Sequence, residues 1–128
     1  MRSAGPCGRR PLAASGVLLA LATIAGAVGA HVLHSHWRAE RMQVYDTAVR
    51  YQFYHSLGLL GIGLLLRTEG PRNLRTSAWL VFAGIVLFSG SLYALALGAP
   101  HWVGIATPFG GVALISGWLL FACGVWRS

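Results

Sequence analysis

The feature that most limits what this 128-residue chain can become is where its formal charges are missing. Residues 76–126 carry none, and neither do 11–30 or 51–66. A helix needs roughly 20 apolar residues to cross the hydrocarbon of a bilayer. The longest uncharged run is more than twice that, so it reads as two spans with a turn between them. In lipid every backbone N–H and C=O must be paired, which excludes an open sheet. The pattern predicts an all-α integral membrane protein, an antiparallel four-helix bundle with short loops. Its helices are expected over about 12–33, 47–66, 77–98 and 107–126. They form a single transmembrane domain, 12–127, behind a flexible basic N-terminal tail, 1–11.

Composition agrees with the charge pattern. The chain is 55% hydrophobic and 10% charged, against about 25% charged in ordinary soluble domains. The net charge of +7 raises the question of nucleic acid. However, all ten basic residues are arginines placed between apolar runs, and they build no basic face. The partner they imply is the lipid bilayer, with other membrane proteins or self-association beside it, and no nucleic acid. Arg2, Arg9, Arg10, Arg67, Arg72, Arg75 and Arg127 fall on one side of a four-span layout. Arg38 and Arg41 fall on the other, with Arg50 at a helix mouth. Positive residues stay in the cytoplasm, so both termini are expected there. Val28-Gly29-Ala30 fits a signal-cleavage pattern, but the run from Leu12 to Leu33 is longer than a signal core and is expected to stay as the first span.

Loops and helix ends follow from local chemistry. Residues 34–47 read as an interfacial loop holding a short surface helix, with Trp37 and Tyr45 as interface anchors. Asp46 is expected to cap the second helix and to pair with Arg50. Gly70-Pro71 ends that helix, and Ser77 is expected to cap the third. Thr107-Pro108 suits a cap followed by a first-turn proline, so the fourth helix starts near Thr107. The alternative is a helix from Trp102 kinked at Pro108. Cys7 and Cys123 have no metal or redox spacing and read as unpaired thiols.

Small residues mark the packing surfaces, because they let backbones approach closely in lipid. Gly26, Gly29, Gly58, Gly90, Gly98, Gly110, Gly111 and Gly117 are assigned to helix packing. The chemistry-bearing residues are few. His31, Tyr51, Gln52, His55, Ser89, Ser91, Tyr93 and Thr107 form the candidate polar cluster, placed in the outer half of the bundle with His55 level with Ser89 and Ser91. An ionisable ring in a span needs a partner, and these groups are the expected ones. No acid lies within a span, so a serine triad has no third member. A cation exporter would be expected to have a buried carboxylate. The five histidines show no metal-ligand spacing. The reading is therefore of a non-enzymatic accessory or structural membrane protein without catalytic residues, metal or cofactor. Two alternatives stay open: a small transporter or lipid- or small-molecule-binding protein using the cluster around His55, and a haem or quinone site between the first and second helices with His31 as partner.

The order of several short segments resembles a known family. Gly29-Ala30-His31, Thr47-Ala48 with Tyr51-Gln52 and His55, Leu87-Phe88-Ser89-Gly90-Ser91-Leu92-Tyr93, and Thr107-Pro108 with Gly110-Gly111 and Gly117-Trp118 resemble the YgdD-like family of small bacterial inner-membrane proteins (domain of unknown function 423). The likeness covers about residues 15–126. It implies a multi-pass inner-membrane protein of about four helices. It supplies no activity, catalytic residue or cofactor.

Overall fold

The computed structural model describes residues 8–68, 70–71 and 73–128. Four helices carry the chain: α1 (Arg9–His31), α2 (Ala39–Leu66), α3 (Asn73–Ala96) and α4 (Ala106–Arg127). Short 3₁₀ segments at Leu33–Ser35 and His101–Ile105 lead into α2 and α4. By length and composition α1, α3 and α4 are each long and apolar enough to cross a membrane. α2 has Glu40, Arg41, Asp46 and Arg50 in its first half and is uncharged from Tyr51 to Leu66.

The register of the helices can be read from contacts along their lengths. On the α1–α2 face, Gly29 packs on Tyr45, the Leu18 carbonyl meets Gln52, and Leu12 meets Gly63. On the α2–α3 face, Arg41 reaches the Ala96 carbonyl and Ser89 reaches that of Ala48. On the α3–α4 face, Phe88 meets Gly110, Gly84 meets Leu114, and Val81 meets Gly117. Residue numbers run in opposite directions in each pair, so neighbours in sequence are antiparallel neighbours in space. α1 and α3 meet over only a short stretch. The bundle is thus a folded layer with a cleft on either side, one between α1 and α3 and one between α2 and α4.

Glycine makes these contacts possible. A Cβ on Gly84 would lie 2.7 Å from Leu114 Cγ, and one on Gly117 would lie 2.9 Å from Val81 Cγ2. At Gly110 it would run into the Phe88 backbone, and at Gly58 into the Trp118 ring. Gly29 presses against Tyr45, while Gly26 and Gly111 have only ordinary contacts, with Val49 and Phe88. The core of Leu59, Ile62, Leu74, Ala78, Val81, Ile85 and Leu114 fills the space between α2, α3 and α4. A second, smaller core of Met42, Tyr45 and Ala96 closes the other end. Val17, Ile24, Leu57, Leu64, Val86, Val112, Ile115 and Leu119 face outward, while Ser15, Gln52, Ser56, Ser77, Ser89 and Ser91 are buried. Aliphatic side chains outside and polar ones inside are the distribution a lipid solvent selects.

Several expectations are corrected. α2 begins at Ala39, eight residues before the expected Thr47, so 34–47 is not a loop holding a surface helix. Its buried stripe continues through Met42, Tyr45 and Ala48 at helical spacing, and packing carries the helix past its charges. Arg38 sits at the N-cap, and Asp46 lies within the helix, 3.5 Å from His34 Nε2. Among the described residues Asp46 makes no ion pair with Arg50. Ser77 lies one turn inside α3 and donates to the Asn73 carbonyl. α4 starts at Ala106 without a side-chain cap, and Pro108 falls in its first turn, where a missing N–H leaves no intrahelical bond unmade. Gly90 and Gly98 pack against nothing. Gly98 instead ends α3: its φ is +102°, and Ala99 N–H donates to the Ala94 carbonyl while Gly98 N–H donates to that of Leu95. This is the glycine-terminated Schellman arrangement. Of the expected flexible tail, 1–11, residues 1–7, Cys7 included, lie outside the described residues, whereas Arg9, Arg10 and Pro11 belong to α1. Cys123 is exposed.

The contrast between two glycines is testable. Gly110→Ala should destabilise the detergent-solubilised protein by about 1–3 kcal/mol, the range for overpacking. Gly90→Ala should be neutral or stabilising by up to about 1 kcal/mol, since alanine has the better helix propensity. Thermal unfolding followed by circular dichroism ranks the two, and equal effects would contradict the packing described for α3 and α4.

Candidate functional site

The structure divides the expected polar cluster into three separate groups. The first joins α1, α2 and α3. Tyr93 on α3 donates to Gln52 Oε1 at 2.7 Å, and Gln52 Nε2 donates to the Leu18 carbonyl at 2.7 Å. Tyr45, one face with Gln52 at seven residues' spacing, donates to the Ala25 carbonyl at 2.5 Å. Its ring meets those of Trp37 and Tyr93 edge to face at 5.7 and 5.5 Å. Arg41 lies 3.9 Å over Trp37 and ties the N-terminal end of α2 to Ala96. Ser89 belongs beside this group, donating to the Ala48 carbonyl at 2.8 Å. A cleft of about 500 Å³ opens between α1 and α3, and Tyr45, Gln52, Ser89 and Tyr93 form its polar inner wall.

The second group is a pair. Ser91 and Thr107 share a hydrogen bond of 2.5 Å that fixes the start of α4 against α3. Thr107 therefore acts across the helix interface and not as a cap.

The third group contains His55, and its partner is Trp118. The indole Nε1–H donates to His55 Nδ1 at 3.0 Å. An indole nitrogen can only donate, so Nδ1 presents its lone pair and the imidazole is neutral with its proton on Nε2. Tyr51 stacks on His55 with centroids 5.7 Å apart, and Phe88 lies 4.8 Å from Tyr51. A second cleft of about 500 Å³, between α2 and α4, is lined by Tyr51, His55, Phe88, Gly111, Trp118 and their aliphatic neighbours.

His55 is thus not level with Ser89 and Ser91. Ser89 lies opposite Ala48, seven residues from His55, or about 10 Å at 1.5 Å per residue. The reason is the length of α2: Arg41, and not a residue near Thr47, stands opposite the end of α3 at Ala96. His55 therefore lies nearer mid-height, where Trp118 is roughly 18 Å from the Ala106 end of α4 and 14 Å from the Arg127 end. His31 is exposed at the end of α1. With Leu12 opposite Gly63 and Leu18 opposite Gln52, His31 and His55 are separated by about 20 Å along the bundle. They cannot face one ligand, which removes the arrangement with a haem or quinone held between them. Among the described residues no three His, Cys, Asp or Glu side chains come together.

Sequence reasoning passed over Tyr45, Trp118 and Phe88. Tyr45, expected as an interface anchor, shares a helix face with Gln52 by its seven-residue spacing. Trp118 carries a donor that lipid cannot satisfy, and that was the available signal.

The buried amide and serines, the outward aliphatic residues and the long apolar helices define a helical membrane protein. The comparisons name its family. Residues 25–111 match the family model described as protein of unknown function (DUF423). A UPF0382 membrane protein of Staphylococcus saprophyticus is 44% identical over 116 residues, 91% of this chain and 94% of that protein. The UPF0382 membrane protein YwdK of Bacillus subtilis is 45% identical over 101 residues, 78% and 82% of the two chains. The UPF0382 inner membrane protein YgdD of Escherichia coli is 38% identical over 102 residues, 80% and 78%. The chain belongs to the DUF423 family. No solved structure matches it.

The Tyr93–Gln52–Leu18 chain of bonds predicts coupled losses. Tyr93→Phe and Gln52→Leu should each lower stability, and the double variant should lose less than their sum. A coupling of about 0.6–1.7 kcal/mol is expected, as for interhelical bonds in other membrane proteins. Equilibrium unfolding in mixed micelles measures it, and strict additivity would mean that the bond contributes nothing.

Proposed function

We propose that this is a non-enzymatic accessory or structural protein of the inner membrane, spanning it four times with both termini in the cytoplasm. The observation that carries this reading is where the polar side chains spend their hydrogen bonds. Tyr45, Gln52, Ser89, Ser91, Tyr93 and Thr107 all bond to another helix of the same chain. Groups occupied in this way join helices and are not arranged around a reacting atom. The name of the Escherichia coli relative supports the inner membrane, and the excess of arginine in the head, the 67–76 loop and the tail supports the orientation. For α2 to span, Tyr51–Leu66 crosses the apolar layer and Arg50 snorkels to its edge.

A second reading is favoured by one observation. Among the described residues His55 Nε2–H has no hydrogen-bond partner, and the residue lines the cleft between α2 and α4. That leaves a binding function for a small membrane-dissolved molecule at this cleft.

Two measurements test the main reading. A fluorescent-protein fusion at Ser128 should be bright, and an alkaline phosphatase insertion at His36 should be active, because the two points lie on opposite sides. Native mass spectrometry from membrane fragments should show a partner protein or a second copy. A chain that always leaves the membrane alone would overturn the accessory role.

A further inference from the structure

We infer that the cleft between α2 and α4 is a binding site for a lipid-soluble quinone, with His55 Nε2–H as the donor to a ring carbonyl. The inference rests on the small-molecule reading of this cleft and gives it a ligand class. Three observations support it.

The first is the donor. Trp118 occupies Nδ1, so the tautomer is fixed and the remaining N–H belongs to a residue that lines the cleft. A fixed, neutral donor in an apolar site prefers a neutral acceptor, since a charged ligand there would be left uncompensated. A quinone carbonyl is such an acceptor.

The second is shape. The Tyr51 ring lies near those of both His55 and Phe88, and the Trp118 ring is tilted at 6.2 Å from His55. Flat π-faces on the walls suit a flat ring, held by offset stacking. Gly111 leaves space beside Phe88, where a Cβ would come no nearer than 3.9 Å. Ile115 and Leu119, both 63% exposed, line the lipid-facing mouth of the cleft and give an alkyl or isoprenoid tail an exit.

The third is depth, which selects the source of the carbonyl. Phospholipid ester carbonyls sit near the headgroups. His55 and Trp118 lie near mid-height, more than 10 Å from either end of α4 at 1.5 Å per residue. A quinone ring dissolved in the bilayer can reach that depth. The cleft between α1 and α3 has a similar volume, but its inner wall offers groups already bonded to other helices.

The test is titration of the purified full-length protein in micelles with decylubiquinone, read by microscale thermophoresis. Binding should saturate, and decylbenzene, which has the tail without the carbonyls, should not compete. His55→Phe keeps a ring and removes the donor, so it should weaken binding about tenfold, the value of one buried hydrogen bond. His55→Gln restores an N–H and should recover part of the loss. Ile115→Trp fills the mouth from the lipid side without touching the core and should abolish binding, while Val86→Trp in the opposite cleft should leave it unchanged. Thermal unfolding of each variant separates lost binding from lost fold. Equal affinity in wild type and His55→Phe, or full competition by decylbenzene, overturns the proposal. If decylubiquinone fails to bind but a co-purifying phospholipid disappears in Ile115→Trp, the ligand class is wrong and the cleft remains a site. If Ile115→Trp alters neither, the small-molecule reading falls with it.

Discussion

A primary amide placed in a lipid-spanning bundle has to be satisfied by protein, because the solvent offers nothing. Gln52 meets that demand from two directions. Its oxygen accepts from Tyr93 on α3 and its nitrogen donates to a carbonyl on α1. One side chain on α2 thereby fixes the heights of both neighbouring helices. The positions of Tyr45 against Ala25 and of Ser89 against Ala48 follow the same register. Each bond is worth only about 0.6–2 kcal/mol in a membrane, yet a slip by one residue would break several together.

The α3–α4 half is held by other means. Here the contacts are glycine against aliphatic or aromatic side chains, and the polar contribution is the Ser91–Thr107 bond near one end. Close approach without a hydrophobic driving force depends on shape and dispersion. Trp118 links the two halves. It packs across Gly58 of α2 and gives its N–H to His55, so a large ring on α4 anchors a helix that α4 otherwise scarcely meets.

Much of this was legible in the sequence, and the misses have physical causes. Uncharged runs and glycine rows show the helices and the membrane. The polar residues also stand out, since few side chains in such runs can hydrogen bond. Their grouping was not legible, because it depends on the relative heights of the helices. Charges at Glu40, Arg41 and Asp46 made residues 34–47 look like a loop, while the stripe Met42, Tyr45, Ala48 and Gln52 carries α2 through them. That error of about two turns put His55 level with Ser89. Gly98 looked like a packing residue because it continues the Gly90–Ala94 row, but its positive φ ends the helix. Gly63 and Gly84 were passed over, having no such row to mark them.

The sequential packing of α1 on α2, α2 on α3 and α3 on α4 bears on how the chain is made. On the four-span reading, each helix after α1 finds a packing partner already present, so assembly can proceed by local pairing without long loop closure. The order is not uniform in cost, however. When α2 arrives, Gln52 can reach Leu18, but its oxygen has no partner until Tyr93 follows on α3. An α1–α2 hairpin inserted alone would therefore leave an acceptor unanswered in lipid, which would favour prompt insertion of the next helix and give assembly a direction.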